Sequence, residues 1–337
     1  MTTQELAYIV RLQRRAADTA PDLAAAQLRA FELIRSALPE SQVARAIQDG
    51  TMNRLIDEVL DDMTGGPFAA LRARLYRATI DAGESEAGHL PTRFRVGVFD
   101  RLSPQVVDAA RRLGSRSLEV LATETRETVR EHVRLGIEAG KNPRVIAREL
   151  KSVIGLAPNQ VRAVANFRAQ LETGDRAALD RMLGRGVLRQ PNGEIIRRGA
   201  HAGGEGLSGR DLGILDRKLG TDPLTPEQIQ RMTTAYEKRM LAWNAESHAR
   251  TMALDANKQA ARLAWEDAVA KGVVPRTALR KVWVAVLDDR TRDEHRELSG
   301  TEVGFDEAFP NGEVTPGDDS WNCRCVARII VRQEAAA

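Results

Sequence analysis

The sequence predicts a mainly α protein, with a long-helix body and a small C-terminal α/β module of about two strands. Three observations carry that expectation. The first two hundred residues are rich in Ala, Leu, Val and Arg with scattered Pro and Gly, the mixture of helices joined by short turns. From Glu227 to Lys271 no Gly or Pro appears, so one helix of about 68 Å fits at 1.5 Å per residue. All four tryptophans, Trp243, Trp265, Trp283 and Trp321, fall in the last 95 residues, where the apolar pattern changes to period two after Gly272 and Pro275.

The segment between Pro21 and Pro39 reads as one helix, and Thr51 to Met63 as another, closed by Gly65-Gly66-Pro67. A third runs from about Phe68 to Ala82, with Gly83 through Pro91 as a connector. From Ser117, the positions Leu118, Leu121, Thr125, Val129, Val133 and Ile137 recur every three or four residues and form one helical stripe, which Gly140 ends. Asn142 followed by Pro143 caps the next helix, whose buried face is Ile146, Leu150, Val153 and Ile154. After the turn at Gly155 to Pro158, a further helix carries Val161, Val164, Phe167 and Leu171. A DNA-reading helix-turn-helix has similar spacing, but no basic recognition face accompanies it here.

Residues 184–213 break the helical pattern. Asn192-Gly193 between short apolar stretches signals a hairpin, and Gly199 to Gly209 is glycine-rich. Residues 181–220 hold eight basic side chains against four acids. Arg185, Arg189, Arg197, Arg198 and Arg210 are therefore candidates for phosphate-backbone or partner contacts, with a solvated surface insertion as the alternative. Thr225-Pro226-Glu227-Gln228 then starts the long helix with a cap, a first-position proline and a glutamine three residues on. A break near Asn244 to Ser247, giving two antiparallel helices, is the competing arrangement. Beyond it, 281–287 and 326–331 read as strands.

The 337 residues allow two or three domains, divided as 1–110 (N-terminal helical region), 111–271 (helical body with the basic insertion) and 272–337 (the α/β module). Hydrophobic residues at 42% and charged residues at 29% exclude wholesale disorder and collagen-like chains. The longest apolar run, Val282 to Leu287, is far short of the roughly 20 residues that span a bilayer, so no membrane partner is expected. The start, Met1-Thr2-Thr3-Gln4-Glu5-Leu6, lacks a signal-peptide pattern, and the expected compartment is a cytosol. A net charge of +3 identifies no ligand by itself. Cys323 and Cys325 are the only cysteines, which excludes a disulfide framework, and their i,i+2 spacing opposes a disulfide between them.

Between the two strands sit Asp288-Asp289-Arg290-Thr291-Arg292-Asp293-Glu294-His295 and then Ser320-Trp321-Asn322-Cys323-Arg324-Cys325. A strand holding Trp283, the Asp288–Arg292 run, His295, Gly300, a Gly/Pro-containing loop and Asn322-Cys323-Arg324-Cys325 opening a last strand resembles the Mu F-like minor head proteins of tailed phages. The specific match covers about Trp283 to Val331, with weaker similarity upstream, through Gly136 to Arg148 and Ala249 to Thr251. The resemblance implies a structural virion component rather than an enzyme, placed inside the head near the portal and made in the host cytoplasm. It names the portal protein as first partner. A scaffold or major capsid protein and packaged double-stranded DNA are further partners, and the chain itself forms an oligomer in the particle.

Many relatives carry Cys-x-x-Cys where this chain has Arg292 to His295, and a His in place of Ser320. His295, Cys323 and Cys325 thus supply three of the four ligands of a closed zinc site, with Asp289 or Asp293 as candidate fourth. In an extended strand the two thiols would lie roughly 6 to 7 Å apart, so shared coordination requires a bend at Arg324. The competing expectation is no cofactor, with both cysteines buried as small apolar side chains. A different class of reading is a metal-dependent nuclease or toxin-like module using Asp288, Asp289, Asp293 and His295. No Gly-rich phosphate loop or Ser/His/Asp set offers another enzyme.

Overall fold

The computed structural model describes residues 2–61, 66–95, 99–175, 206–218, 222–318 and 323–332, and the backbone of 187–189 and 195–197. The described helices are α1 (Thr3–Ala37), α2 (Glu40–Gln48), α3 (Met52–Leu60), α4 (Ala69–His89), α5 (Pro104–Glu138), α6 (Pro143–Val153), α7 (Pro158–Thr173), α8 (Gly209–Lys218), α9 (Pro226–Ala270) and α10 (Asp293–Glu297). The strands are β1 (Val187–Arg189), β2 (Ile195–Arg197), β3 (Leu279–Val284), β4 (Glu302–Gly304) and β5 (Val326–Val331). The mainly α class with a small C-terminal α/β module is borne out, the module holding three strands rather than two. None of the described helices is long and apolar enough to cross a membrane.

Two compact units divide the chain. One comprises residues 1–30, 63–121 and 245–337, the other residues 31–62 and 122–244, and α1, α5 and α9 contribute to both.

In the first unit, α4 runs on to His89, so the connector expected from Gly83 is helix. A Cβ on Gly83 would lie 2.7 Å from the ring of Phe99, which identifies this glycine as a packing residue rather than a helix stop. Pro21 likewise fails to start a helix, because α1 passes through it. The lost backbone bond is offset by burial of Leu12 and Ala16 before the proline and of Leu23 and Gln27 after it, on one continuous face. Glu86 of α4 is buried between Arg11 at 3.1 Å and Arg15 at 3.0 Å. The sheet has the order β4-β3-β5, all antiparallel, with Lys281 opposite Val303 on one side and Ile329 on the other. Phe94, Trp265, Val274, Leu279 and Phe305 form the core beneath it.

In the second unit the cap at Asn142 is realised, its side-chain oxygen accepting from the Arg144 N–H at 2.9 Å. Ile146, Leu150, Val153 and Ile154 are buried, as are Val161, Val164, Phe167 and Leu171. The α5 stripe ends differently from the expectation: Ile137 is 59% exposed. His132 and Gly136 take the buried positions instead, His132 Nε2 meeting the Ile146 carbonyl at 3.0 Å and Gly136 leaving no room for a Cβ beside Ile146. β1 and β2 pair antiparallel as the expected hairpin, with Val187 opposite Arg197. Thr225 and Gln228 form the reciprocal cap of α9, at 3.0 and 3.3 Å. α9 does not break near residue 244. There the Asn244 amide donates to the Gly155 carbonyl at 3.0 Å, an anchor on an unbroken helix.

Candidate functional site

Strand register brings the motif residues together. Trp283 pairs with Ala327 and Val284 with Val326, so Cys325 enters the sheet beside the end of β3, where the chain leaves for α10. α10 is one short turn of helix that turns His295 inward while Asp293, Glu294 and Arg296 stay exposed. His295, Cys323 and Cys325 are each 3% exposed. His295 Nδ1 lies 3.5 Å from the Cys323 sulfur and 3.6 Å from the Cys325 sulfur. One ligand atom from each residue falls within 4.8 Å of the others, so the bend at Arg324 is present. In a tetrahedral zinc site, with bonds of about 2.3 Å to sulfur and 2.0 to 2.1 Å to nitrogen, S···N edges come to about 3.6 Å. The three donors fit zinc.

The surroundings favour one orientation of these donors. Trp283 stands edge-on to His295, with ring centroids 5.3 Å apart, and edge-on to Phe309 at 5.0 Å. Its indole Nε1 is buried, has no hydrogen-bond partner among the described residues and faces the Cys325 sulfur. On the other side of the imidazole, Nε2 lies 3.8 Å from the exposed Glu294 carboxylate, beyond hydrogen-bond distance. Lys258 reaches in from α9 and donates to the carbonyls of Pro316 at 2.6 Å and Cys323 at 3.3 Å. Gly317 makes room for this, since a Cβ there would sit 2.9 Å from both the Cys323 Cβ and the lysine nitrogen. Cys323 is the more acidic thiol, because Cys325 donates to it and the Lys258 charge is near. Cys325 is pushed up by the same hydrogen bond and by burial.

Asp288, Thr291, Gly300 and Arg324 of the motif do structural work. Asp288 pairs with both terminal nitrogens of Arg324 and also accepts from the Arg290 N–H at 3.0 Å and the Thr291 hydroxyl at 3.2 Å. The Arg324 pairing holds the Asp288 carboxyl well below the usual carboxylate range. Gly300, at φ 91°, donates its N–H to the Trp283 carbonyl at 2.8 Å and closes the turn into β4. Asp289 is exposed and stands outside the three-residue cluster, as does Asp293, so the acids proposed for a nuclease do not gather around His295. Arg290 and Arg292 are exposed, Arg292 at the N-cap of α10. Asn322 lies outside the described residues.

Of the basic candidates, Arg189 and Arg197 fall in the hairpin strands and Arg210 is exposed on α8, whereas Arg185 and Arg198 lie outside the described residues. Sequence reasoning missed Lys258. A lysine among only seven in the chain, set in the alanine-rich buried half of α9, is the signal that could have found Lys258.

Residues 226–328 match the family described as Phage Mu protein F like protein. The chain carries a Mu F-like module. The match begins at the first residue of α9, so the module includes the long helix as well as the sheet and the Cys/His cluster. The resemblance read from the Asp288–His295 and Asn322–Cys325 motifs is thereby borne out. Over 157 residues the chain is 27% identical to the Minor head protein GP7 of Bacillus phage SPP1, a match that covers 44% of this chain and 45% of that protein. The chain thus spans less than half the length of this curated relative. No solved structure matches the chain.

Proposed function

We propose that the chain is a minor head protein of a tailed phage or prophage, acting in head morphogenesis and DNA delivery by binding partners rather than by catalysis. The Mu F-like match over 226–328, together with a relative named as a minor head protein, carries this reading. In it, the chain sits inside the head near the portal, meets the portal protein first, and touches packaged DNA through Arg185, Arg189, Arg197, Arg198 and Arg210. The Cys/His cluster supports a structural rather than catalytic role: its donors are buried, and Asp288 is held by Arg324. His295, Cys323 and Cys325 would hold a structural zinc that pins the loop between α10 and β5. Such a metal supplies folding energy to its surroundings and no chemistry on a substrate.

Mass spectrometry of purified particles, with and without genome, tests the reading. The expected result is the chain at a few copies per particle in both, recovered with the portal after gentle disruption. Its absence from both particle types overturns the proposal.

A further inference from the structure

Among the described residues, the sheet of the first unit has one edge without a partner strand. There β5 pairs with β3 alone, and the register of that pairing fixes which backbone groups turn each way. Arg332, just past the strand, donates its N–H to the Ala278 carbonyl on the β3 side at 2.8 Å. Backbone direction alternates along a strand, so Arg328 and Ile330 also face β3, while Ala327, Ile329 and Val331 turn their N–H and C=O groups outward. Tyr8 agrees with this phase, because its hydroxyl donates to the Ala327 carbonyl at 3.3 Å. Beyond that contact, the outward groups of Ile329 and Val331 meet no hydrogen-bond partner among the described residues.

These groups border a groove of about 340 Å³ that runs between β5 and the end of α4. Its apolar wall is Phe94 and Trp265, against which the side chains of Ile329 and Val331 pack. Its rim is basic. Arg93 lies over the Phe94 ring at 4.6 Å, is exposed, and has no acidic partner among the described residues. Arg11 and Arg328 also line the groove, Arg11 paired with Glu86, whose charge Arg15 shares, and Arg328 with Glu5 at 3.3 Å, so Arg93 is the rim cation with no acid beside it among the described residues. Exposed strand edges are commonly blunted by lysine, proline or a bulge, yet β5 has none of these over six consecutive pairs.

We propose that β5 accepts an extended segment of a partner protein as an added strand, one that alternates apolar and acidic residues. The partner's backbone completes the ladder of Ile329 and Val331. Its apolar side chains fall on the Phe94 and Trp265 face, and its carboxylates meet the arginine rim. This deepens the reading of the chain as a partner-binding component and rests on it.

The test uses the full chain and a fluorescein-labelled peptide of about eight residues that alternates Val and Glu, read by fluorescence anisotropy. Binding is expected, with a loss of about tenfold or more when the amides facing β5 are N-methylated and little change when those on the far edge are. Replacing Glu by Lys in the peptide, or Arg93→Glu in the protein, should weaken binding by a similar factor. Ile329→Pro removes an outward N–H and leaves the β3 ladder intact, so it should abolish binding without lowering the melting temperature. If that variant does not fold, the N-methylated peptides decide alone. Absent binding, or equal affinity for the N-methylated or Lys peptides, overturns the proposal. A dimer in sedimentation equilibrium that Ile329→Pro makes monomeric also overturns it, and assigns the edge to a second copy. Failure here with the chain still present in particles leaves the head-protein reading standing.

Discussion

Lys258 on α9 donates to the main-chain carbonyl of Cys323, across 65 residues of sequence, at 3.3 Å. The same ammonium holds the Pro316 carbonyl and lies 3.4 Å from the Asp255 carboxylate. One buried cation thus ties the long helix to two points of the loop that precedes β5. Lys258→Met keeps the volume and removes the donors, leaving two carbonyls without this partner and Asp255 without its nearer countercharge, Arg116 remaining. The expected loss is about 3 kcal/mol of unfolding free energy, read from urea titrations.

Gly83 meets Phe99 in a comparable way, through the absence of a side chain. Alanine has the better helix propensity by about 1 kcal/mol, so an exposed Gly→Ala change in α4 would stabilise. At Gly83 the new methyl would enter a rigid buried ring at 2.7 Å. Gly83→Ala should therefore destabilise by about 1 to 2 kcal/mol net, the overpacking cost exceeding the propensity gain. Gly88, where an added Cβ would meet nothing within 4 Å, is the control and should gain stability in the same thermal melts.

The difference between these two glycines shows where sequence reading stops. The α9 helix is legible because its signals are local: Thr225 and Gln228 cap it, and nothing in the next 45 residues interrupts it. Asn142 and Pro143 announce α6 for the same reason. Pro21 and Gly83 mislead because the burial that overrides them comes from residues distant in sequence. β4 is only three residues long and carries no period of its own, so its pairing with β3 alone defines it. The Cys/His cluster follows from the motif, but the partners that shape it do not. Asp288 finds Arg324 across 36 residues, and no local pattern marks either one as spoken for.

His248 gives the protein a pH dependence of known sign. It is buried on α9, where Gln27 Nε2 stands 3.1 Å from its Nδ1, and burial depresses it from 6.5 to about 4. Protonation would set an N–H against the Gln27 amide. Since the unfolded chain takes up the proton near pH 6.5 and the folded one only near 4, stability is complete above 6.5 and falls as the pH drops through that window. From pH 7 to 5 the His248 contribution should fall by about 2 kcal/mol. Glu124 opposes it, because burial raises its carboxyl from 4.5 to about 7 and its contribution therefore grows as the pH falls. The pH 7 to 5 change in stability should accordingly be about 2 kcal/mol more favourable in His248→Gln than in the parent, read from urea midpoints at the two pH values.

The basic insertion makes a prediction about salt. Arg189 and Arg197 stand on the paired strands of the hairpin, and Arg210 is exposed at the start of α8. Contacts to phosphates release counterions, so duplex affinity should fall with log salt at a slope of about −0.9 per phosphate neutralised, without preference for sequence. Replacing Arg185, Arg189, Arg197, Arg198 and Arg210 by Ala should flatten that slope by several such steps. An unchanged slope and affinity in a duplex titration would assign these arginines to plain solvation.

Zinc makes the sharpest demand on the Mu F-like module. The sulfur-to-nitrogen distances of 3.5 and 3.6 Å already have the length of a zinc tetrahedron's edges. Packing alone does not require an imidazole nitrogen to lie between two thiols, whereas a shared metal does. Protein purified without chelator or nickel resin should hold about one equivalent of zinc by elemental analysis. Removing it should lower the melting of the unit that contains 245–337, because the metal would join His295 on α10 to Cys323 and Cys325 beside β5 and so close the chain between them. Cys323→Ser should reproduce the effect of chelation and leave nothing further for a chelator to remove. Zinc far below one equivalent, with melting unchanged by chelation, would leave Cys323 and Cys325 as core residues packed beneath Trp283 and Phe309.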